Sequence, residues 1–300
     1  MALSYLIAIL LTLVAAAPKI RARERLTLME LLIFVLVMTS PWSLTRDVPQ
    51  YMENFENFLD IDSFPEIVVR LMMAGTFIGG MEVMFRSDFS IGSIIAYAFL
   101  AIPSVACNQL RLSLALLVLL LLMRKTRSIG SVLAGSLIHQ SLVLYLFMRL
   151  PDEPGRRYAL RIALLAGVAA AILLNFETLL GLLLPYLGNV GVYLHAKEIS
   201  DLYDETNLFE GIEFPFFYGL VSLQARSPRP AIAVGLAYAL TKVLTMLPSV
   251  ITMRFFELFC ILYLFSKLRH LKHRTVPIVL FGLVLLARFY LHYSVMPDTD

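Results

Sequence analysis

The sequence predicts an all-α integral membrane protein, a polytopic bundle of about 10–12 transmembrane helices. Hydrophobic residues make up 59% of the chain and charged residues only 16%, whereas a soluble domain has roughly 45–50% apolar and about 25% charged residues. The apolar residues lie in long runs, and basic residues gather between these runs. The two cysteines have no spacing typical of a disulfide framework or a metal site. We therefore expect a single membrane domain over residues 1–300.

The apolar runs mark the expected helices. An upright span needs about 20 apolar residues, and fewer suffice when neighbouring helices or snorkelling side chains help. The first run is followed, not preceded, by basic residues, which favours a retained helix over a signal peptide. The letters VAAAP at residues 14–18 leave cleavage as the alternative. The predicted spans are 3–17, 28–44, 67–85, 90–106, 110–123, 129–148, 159–187, 213–225, 231–247, 249–266 and 276–294.

Basic loops predict the orientation, because Lys and Arg on short loops mark the cytoplasmic side. Four segments carry them: PKIRARER, RKTRS, RSPRP and SKLRHLKHR. Two acidic, aromatic loops, near residues 45–66 and 187–213, then fall outside. An even number of crossings must separate RKTRS from RSPRP, so we expect the long run 159–187 to split or fold back towards the outside.

Ionisable side chains within apolar runs cost a few kcal/mol at the bilayer centre and call for a partner, a cavity or a function. An intrahelical pair of Arg254 with Glu257, snorkelling of Arg111 and an interhelical hydrogen bond of His139 are the structural alternatives. Cations that converge from separate helices instead predict an anion site, and guanidinium groups favour phosphate. The cations near predicted outer helix ends are Arg70, Arg111, Lys242 and Arg254.

Aromatic residues accompany the acidic ones in both outer loops. Tyr51, Phe55 and Phe58 have a spacing that lines one side of a short helix, and Tyr193 and Tyr203 occupy the second loop. Sugars stack their apolar faces on aromatic rings while their hydroxyls pair with carboxylates and amides. A lipid-linked sugar pyrophosphate would need both the cations and this surface.

Four short patterns follow one another along the chain. In this order and spacing they resemble the EpsG/Wzy-type polysaccharide polymerases of bacterial envelopes. The patterns are RDVPQYMENF with Arg46, Asp47, Tyr51 and Phe55; LRLSLALLVL with Arg111 and Ala115; LIHQSLVL with His139 and Ser141; and MRFFELF with Arg254 and Glu257.

The resemblance implies a GT-C type fold, that of lipid-sugar-dependent glycosyltransferases, in the bacterial inner membrane with an active site facing the periplasm. It implies transfer of a growing glycan from undecaprenyl pyrophosphate to the next lipid-linked oligosaccharide repeat unit, without a metal or other cofactor. The implied partners are the membrane lipid, a flippase that supplies substrate and a chain-length regulator. The net charge of +3 comes from clusters at helix ends, so no nucleic acid partner is expected.

The residues divide into three expected roles. Cations fixed in a dry site would neutralise the pyrophosphate leaving group, and these are Arg46, Arg111 and Arg254. The base that takes the acceptor's proton is Asp47, His139 or Glu66. Sugar contacts are expected from Tyr51, Tyr193 and Glu257, with plain interfacial aromatic residues as the alternative for the two tyrosines. A lipid-linked oligosaccharide flippase or transporter, and an O-antigen-type ligase, are the rival functions.

Overall fold

The computed structural model describes residues 2–41, 47–60, 63–107, 109–125, 135, 137–139, 219–223, 257–258, 260–266 and 268–295. All regular structure in these ranges is helical, which confirms the all-α prediction for this part of the chain. The helices are α1 (Ala2–Ala16), α2 (Ala22–Thr39), α3 (Asp47–Leu59), α4 (Glu66–Arg86), α5 (Ile91–Ala101), α6 (Leu110–Lys125) and α7 (Thr275–Val295), and a π-helical turn (Ile102–Ala106) extends α5.

Within the described ranges, α4 is the one helix long and apolar enough to cross a membrane. Its 21 residues extend roughly 31 Å. Shorter apolar helices are Ala2–Ala16, Ile91–Ala101, Leu110–Met123 and Thr275–Tyr290. The runs predicted at 129–148, 159–187, 213–225, 231–247 and 249–266 lie wholly or partly outside the described residues, so the number of crossings stays a prediction.

The boundary of α2 differs from the predicted span. The apolar run was expected to begin at residue 28, whereas α2 begins at Ala22. Arg and Glu are good helix formers, so Arg23, Glu24 and Arg25 extend the helix ahead of its apolar part. Apolarity marks where a helix can be buried, and it does not mark where the helix starts.

The helices pack in a network with α1 between α2 and α7, α2 against α4, and α4 against α6. Aromatic rings fill the centre, where Phe77 of α4 stacks on Tyr97 of α5 with their centroids 5.1 Å apart. Phe265 follows 5.4 Å from the Tyr97 ring. All three rings are fully buried, so this stack joins segments that are far apart in the sequence.

One end of the bundle, here called the basic end, contains residues 17–25, 82–90 and 268–275. Ser90 caps α5 by accepting from the backbone N–H of Ser93 at 3.3 Å. The Ser90 hydroxyl also donates to the Leu271 carbonyl at 2.7 Å, and the Ser93 hydroxyl donates to the Leu268 carbonyl at 2.6 Å. The loop 268–274 is thereby fixed onto the start of α5.

Two basic segments predicted on one side of the membrane, 18–25 and 266–274, meet at the basic end. His273 Nε2 lies 2.7 Å from the Ala15 carbonyl oxygen in the last turn of α1, which joins them. The side of a membrane that this end faces stays a prediction. The opposite end, here called the α3 end, is formed by the end of α2, by α3, by the start of α4 and by residues 107 and 109–111.

The close contact between α5 and the loop 268–274 predicts a specific cost for one substitution. A Cβ atom at Gly92 would lie 2.5 Å from the Leu271 carbonyl oxygen, whereas a Cβ at Gly75 would meet no atom within 4 Å. We expect Gly92→Ala to lower the free energy of unfolding by about 2 kcal/mol, because the obstacle is backbone. Gly75→Ala should be neutral or add up to about 1 kcal/mol through helix propensity.

Thermal unfolding can be followed with a thiol-reactive dye, because Cys107 and Cys260 are both buried in the folded chain. Equal melting temperatures for the two glycine variants would contradict the packing of this loop.

Candidate functional site

The acidic, aromatic segment after α2 folds into α3, as its spacing predicted. Val48 is buried, and Tyr51 and Phe55 pack against the core, which gives the helix an apolar face of i, i+3 and i+7 residues. Phe58 lies on the same side of the helix, three residues after Phe55, but 83% of it is exposed. Leu59 is 49% exposed as well, so the last turn of α3 extends beyond the helices on which it packs.

The chain after α3 folds back onto it. The Phe55 and Phe64 rings stack with centroids 4.8 Å apart. The Glu56 carboxylate accepts a hydrogen bond from the Phe64 backbone N–H at 2.7 Å. These two contacts hold the segment before α4 against α3, which packs on α4.

Tyr51 and Arg111, two of the predicted site residues, meet at the α3 end. The Tyr51 hydroxyl accepts a long hydrogen bond, 3.5 Å, from the backbone N–H of Arg111. Arg111 is the second residue of α6, where backbone N–H groups have no partner within the helix. Its side chain is exposed and forms no ion pair with another described residue. A free guanidinium at a helix N-terminus is suited to bind an anion.

Glu66, a predicted base, is engaged by a neighbouring arginine. Arg70 Nε lies 2.5 Å from Glu66 Oε1, and Arg70 Nη1 donates to the Val37 carbonyl at 2.7 Å. Only 5% of Arg70 is exposed, so its guanidinium joins α4 to the last turn of α2. Glu66 therefore helps to hold two helices together.

The same arginine lies beside a buried thiol. Burial raises the pKa of Cys107 to about 12, while the Ser40 hydroxyl and the Arg70 guanidinium act in the opposite direction. Cys107 follows the π-helical turn, so the end of α5 contacts the junction of α2 with α4. This thiol stays protonated at neutral pH and has a packing role.

A second charged cluster is buried within the bundle. Arg288 Nη2 donates to Glu257 Oε1 at 3.0 Å, and Arg288 Nη1 donates to the Leu100 carbonyl at 2.6 Å. The two side chains are 5% and 2% exposed. Leu100 lies two residues before the π-helical turn. The sequence suggested Arg254 as a partner of Glu257; Arg254 lies outside the described residues, so this pairing stays a prediction, and Arg288 is a partner of Glu257 within them.

Arg288 is the residue of this cluster that sequence reasoning missed. It is a single cation within the apolar run 276–294, so the cost of an ionisable group inside a membrane segment would have singled it out. Its partner could not have been found in this way, because Glu257 belongs to another segment.

The remaining predicted site residues lie only partly within the described ranges. Asp47 begins α3, but its side chain lies outside the described residues, as do Arg46, Tyr193 and Arg254. The His139 backbone N–H donates to the Gly135 carbonyl at 3.0 Å. In the part of the chain that the structure covers, no three His, Cys, Asp or Glu side chains are grouped as metal ligands would be.

No protein-family profile, curated protein or solved structure matches this chain. The similarity to polysaccharide polymerases therefore depends on the residue patterns alone.

The buried pair predicts strong coupling between two residues that are 31 positions apart. Arg288→Met should lower the free energy of unfolding by about 3–5 kcal/mol, because it leaves the Glu257 carboxylate buried without this partner. Glu257→Leu should cost a similar amount. The loss of unfolding free energy in the double variant should be smaller than the sum of the two single losses by at least about 1 kcal/mol.

The dye-based thermal melt measures all three variants, supplemented by denaturant titration for the free energies. Strictly additive losses would show that the two side chains do not interact in the folded chain.

Proposed function

We propose that this chain is a polytopic membrane glycosyltransferase with about 10–12 spans. It polymerises undecaprenyl-pyrophosphate-linked repeat units into O-antigen, capsule or exopolysaccharide at the outer face of the bacterial inner membrane. The α3 end would face the periplasm, and the basic end would face the cytoplasm in accordance with the distribution of Lys and Arg.

The observation that carries this proposal is the hydrogen bond from the Arg111 backbone N–H to the Tyr51 hydroxyl, which places the start of α6 beside α3. An exposed guanidinium at the start of α6 suits a pyrophosphate, and an aromatic ring on the adjacent α3 suits a sugar. In a lipid-linked sugar, the pyrophosphate and the first sugar ring are directly bonded to each other. The contact thus supports a site in which one ligand touches both residues.

The reaction follows from the chemistry of such a ligand. An acceptor hydroxyl attacks the anomeric carbon of the growing glycan, the bond from that carbon to the pyrophosphate oxygen breaks, and undecaprenyl pyrophosphate leaves. Arg111, with Arg46 and Arg254, would neutralise the charge that develops on the leaving group. A base removes the hydroxyl proton, which typically contributes about 10²–10⁴-fold in rate.

Three residues are candidates for that base. Glu66 is the weakest of them, because its carboxylate is already bonded to Arg70, which holds α4 against the last turn of α2. Asp47 and His139 are the stronger candidates. Asp47 lies one turn from Tyr51 on α3, which favours it for a site on that helix.

A transporter or flippase for the same lipid-linked substrate is the second candidate. The buried pair of Glu257 with Arg288 favours it, since paired charges inside the membrane are typical of substrate and ion pathways. A ligase would share the polymerase chemistry and differ only in its acceptor.

Deletion of this protein from its cells separates these functions. We expect the surface glycan to change from a ladder of chain lengths to a single repeat unit, visible by gel electrophoresis of extracted glycolipids. A full ladder retained on undecaprenyl pyrophosphate would instead identify a ligase, and repeat units trapped on the cytoplasmic side would identify a flippase.

Arg111 provides the residue-level test. Arg111→Ala should reduce chain extension by about 10²–10³-fold, because it removes a preorganised charge from the leaving group. The matched control is Arg86→Ala, which removes an exposed arginine from the opposite end of the bundle. Immunoblots of membrane fractions should show equal protein levels. Normal ladders from Arg111→Ala would refute the assignment of the pyrophosphate site.

A further inference from the structure

Two loops far apart in the sequence form a single surface at the basic end. Residues 17–21 join α1 to α2, and residues 268–274 precede α7. His273 Nε2 lies 2.7 Å from the Ala15 carbonyl oxygen, and the Thr275 hydroxyl donates to the Ala16 carbonyl at 3.3 Å. The last turn of α1 therefore holds the two loops side by side.

Some of the basic side chains here have an internal role. Arg25 is buried, and its guanidinium donates to the Ala17 carbonyl and, at 3.0 Å, to the Ile20 carbonyl. With His273 and Thr275, it satisfies carbonyl groups at the end of α1 that have no partner within the helix. The role of these side chains is to stabilise the contacts between the end of α1 and the two loops.

The other cations of the two loops point outward. Arg269 is the exception, because it is half-buried and donates to the Phe265 carbonyl at 3.0 Å. The exposed cations, which form no ion pair with another described residue, are Lys19, Arg21, Lys272 and Arg274. Neither loop contains an Asp or a Glu. Arg23 and Arg86 differ, because both bond to Glu82, at 2.5 and 3.3 Å. The surface thus concentrates uncompensated positive charge.

Two helix N-termini add to this charge. α2 begins at Ala22, and its N-cap residue Arg21 makes no side-chain capping bond, although Glu24 in its first turn offsets part of the charge there. α7 begins at Thr275 and has no acidic residue in its first turn. Unpaired N–H groups and the helix dipole make such ends favourable for anions.

Exposed apolar residues border the cations. Leu13 in the last turn of α1 is 61% exposed, Leu28 in α2 is 41% exposed, and Val276 in the first turn of α7 is 71% exposed. Each lies within two turns of the charged surface along its own helix. A ligand that covers both regions needs an anionic head and an apolar tail.

We propose that the basic end binds the headgroup of an anionic phospholipid, with Lys19, Arg21, Lys272 and Arg274 around the phosphate and the acyl chains on the adjacent apolar surface. Basic clusters next to membrane helices attract anionic lipids in this way. The proposal is independent of the glycosyltransferase activity, and the test below measures stability alone.

The test compares melting temperatures of the full chain in detergent micelles that contain phosphatidylglycerol or phosphatidylcholine at equal mole fraction. The buried thiols of Cys107 and Cys260 again report unfolding. Phosphatidylglycerol should raise the melting temperature by about 3 °C or more, because a ligand of the native state stabilises it. Phosphatidylcholine and inorganic phosphate should each produce less than half of this shift.

Variants locate the site. The quadruple variant Lys19→Gln, Arg21→Gln, Lys272→Gln, Arg274→Gln should melt normally without lipid and lose the phosphatidylglycerol shift. The double variants of each loop, Lys19→Gln with Arg21→Gln and Lys272→Gln with Arg274→Gln, should each lose part of the phosphatidylglycerol shift. They keep the test valid if the quadruple variant does not fold. Arg86→Gln is the matched control, since this arginine is bonded to Glu82, and it should keep the full shift.

Three results would overturn the proposal. One is an equal shift with phosphatidylcholine, and another is the full shift with inorganic phosphate alone, which would identify a free-anion site. The third is an undiminished phosphatidylglycerol shift in the paired variants.

Discussion

Burial of the Arg288 guanidinium is the constraint that ties the most distant parts of this structure together. A charge in an apolar interior must be paired and hydrogen-bonded, and Arg288 meets this requirement through Glu257 and the Leu100 carbonyl. Three segments that are distant in sequence, α5, α7 and the helical residues 257–258, therefore meet at one guanidinium. α7 in turn packs along α1, so the position of α1 also depends on this contact.

Buried arginines that donate to backbone carbonyl groups also occur at both ends of the bundle. Arg25, Arg70 and Arg288 are the buried arginines among the described residues, each at most 5% exposed. Each donates to a carbonyl group at or near the end of a helix: Ala17 after α1, Val37 in α2 and Leu100 in α5. Helix C-terminal carbonyls lack partners and carry partial negative charge. A guanidinium has several donors in a fixed plane, so it can satisfy such a carbonyl and a second group together.

This pattern distinguishes buried arginines, which stabilise the packing of the helices, from exposed cations, which are accessible to a ligand. The buried arginines already use their charge within the protein. Arg111 at the α3 end and the four exposed cations of the two basic-end loops form no ion pair with a described residue, and each lies within three residues of the start of a helix. Both proposed ligands, a pyrophosphate at one end and a phospholipid headgroup at the other, are anions with an apolar lipid tail. The use of buried arginines inside the bundle thus leaves other cations exposed at its two ends, where the two anions are proposed to bind.

Apolar runs were sufficient to predict the helices of the described ranges, apart from the exact start of α2, because such runs must be buried and satisfy their backbone hydrogen bonds locally. The sequence by itself also determined α3, whose amphipathic spacing is a local property, and it left Glu66 and Arg70 four residues apart on one helical face. The pairing of Glu257 with Arg288, the contact of Arg111 with Tyr51 and the shared surface of the loops 17–21 and 268–274 follow from the packing of the helices. Such contacts depend on which helix faces pack together, and helical periodicity shows that a face is apolar without showing which neighbour covers it.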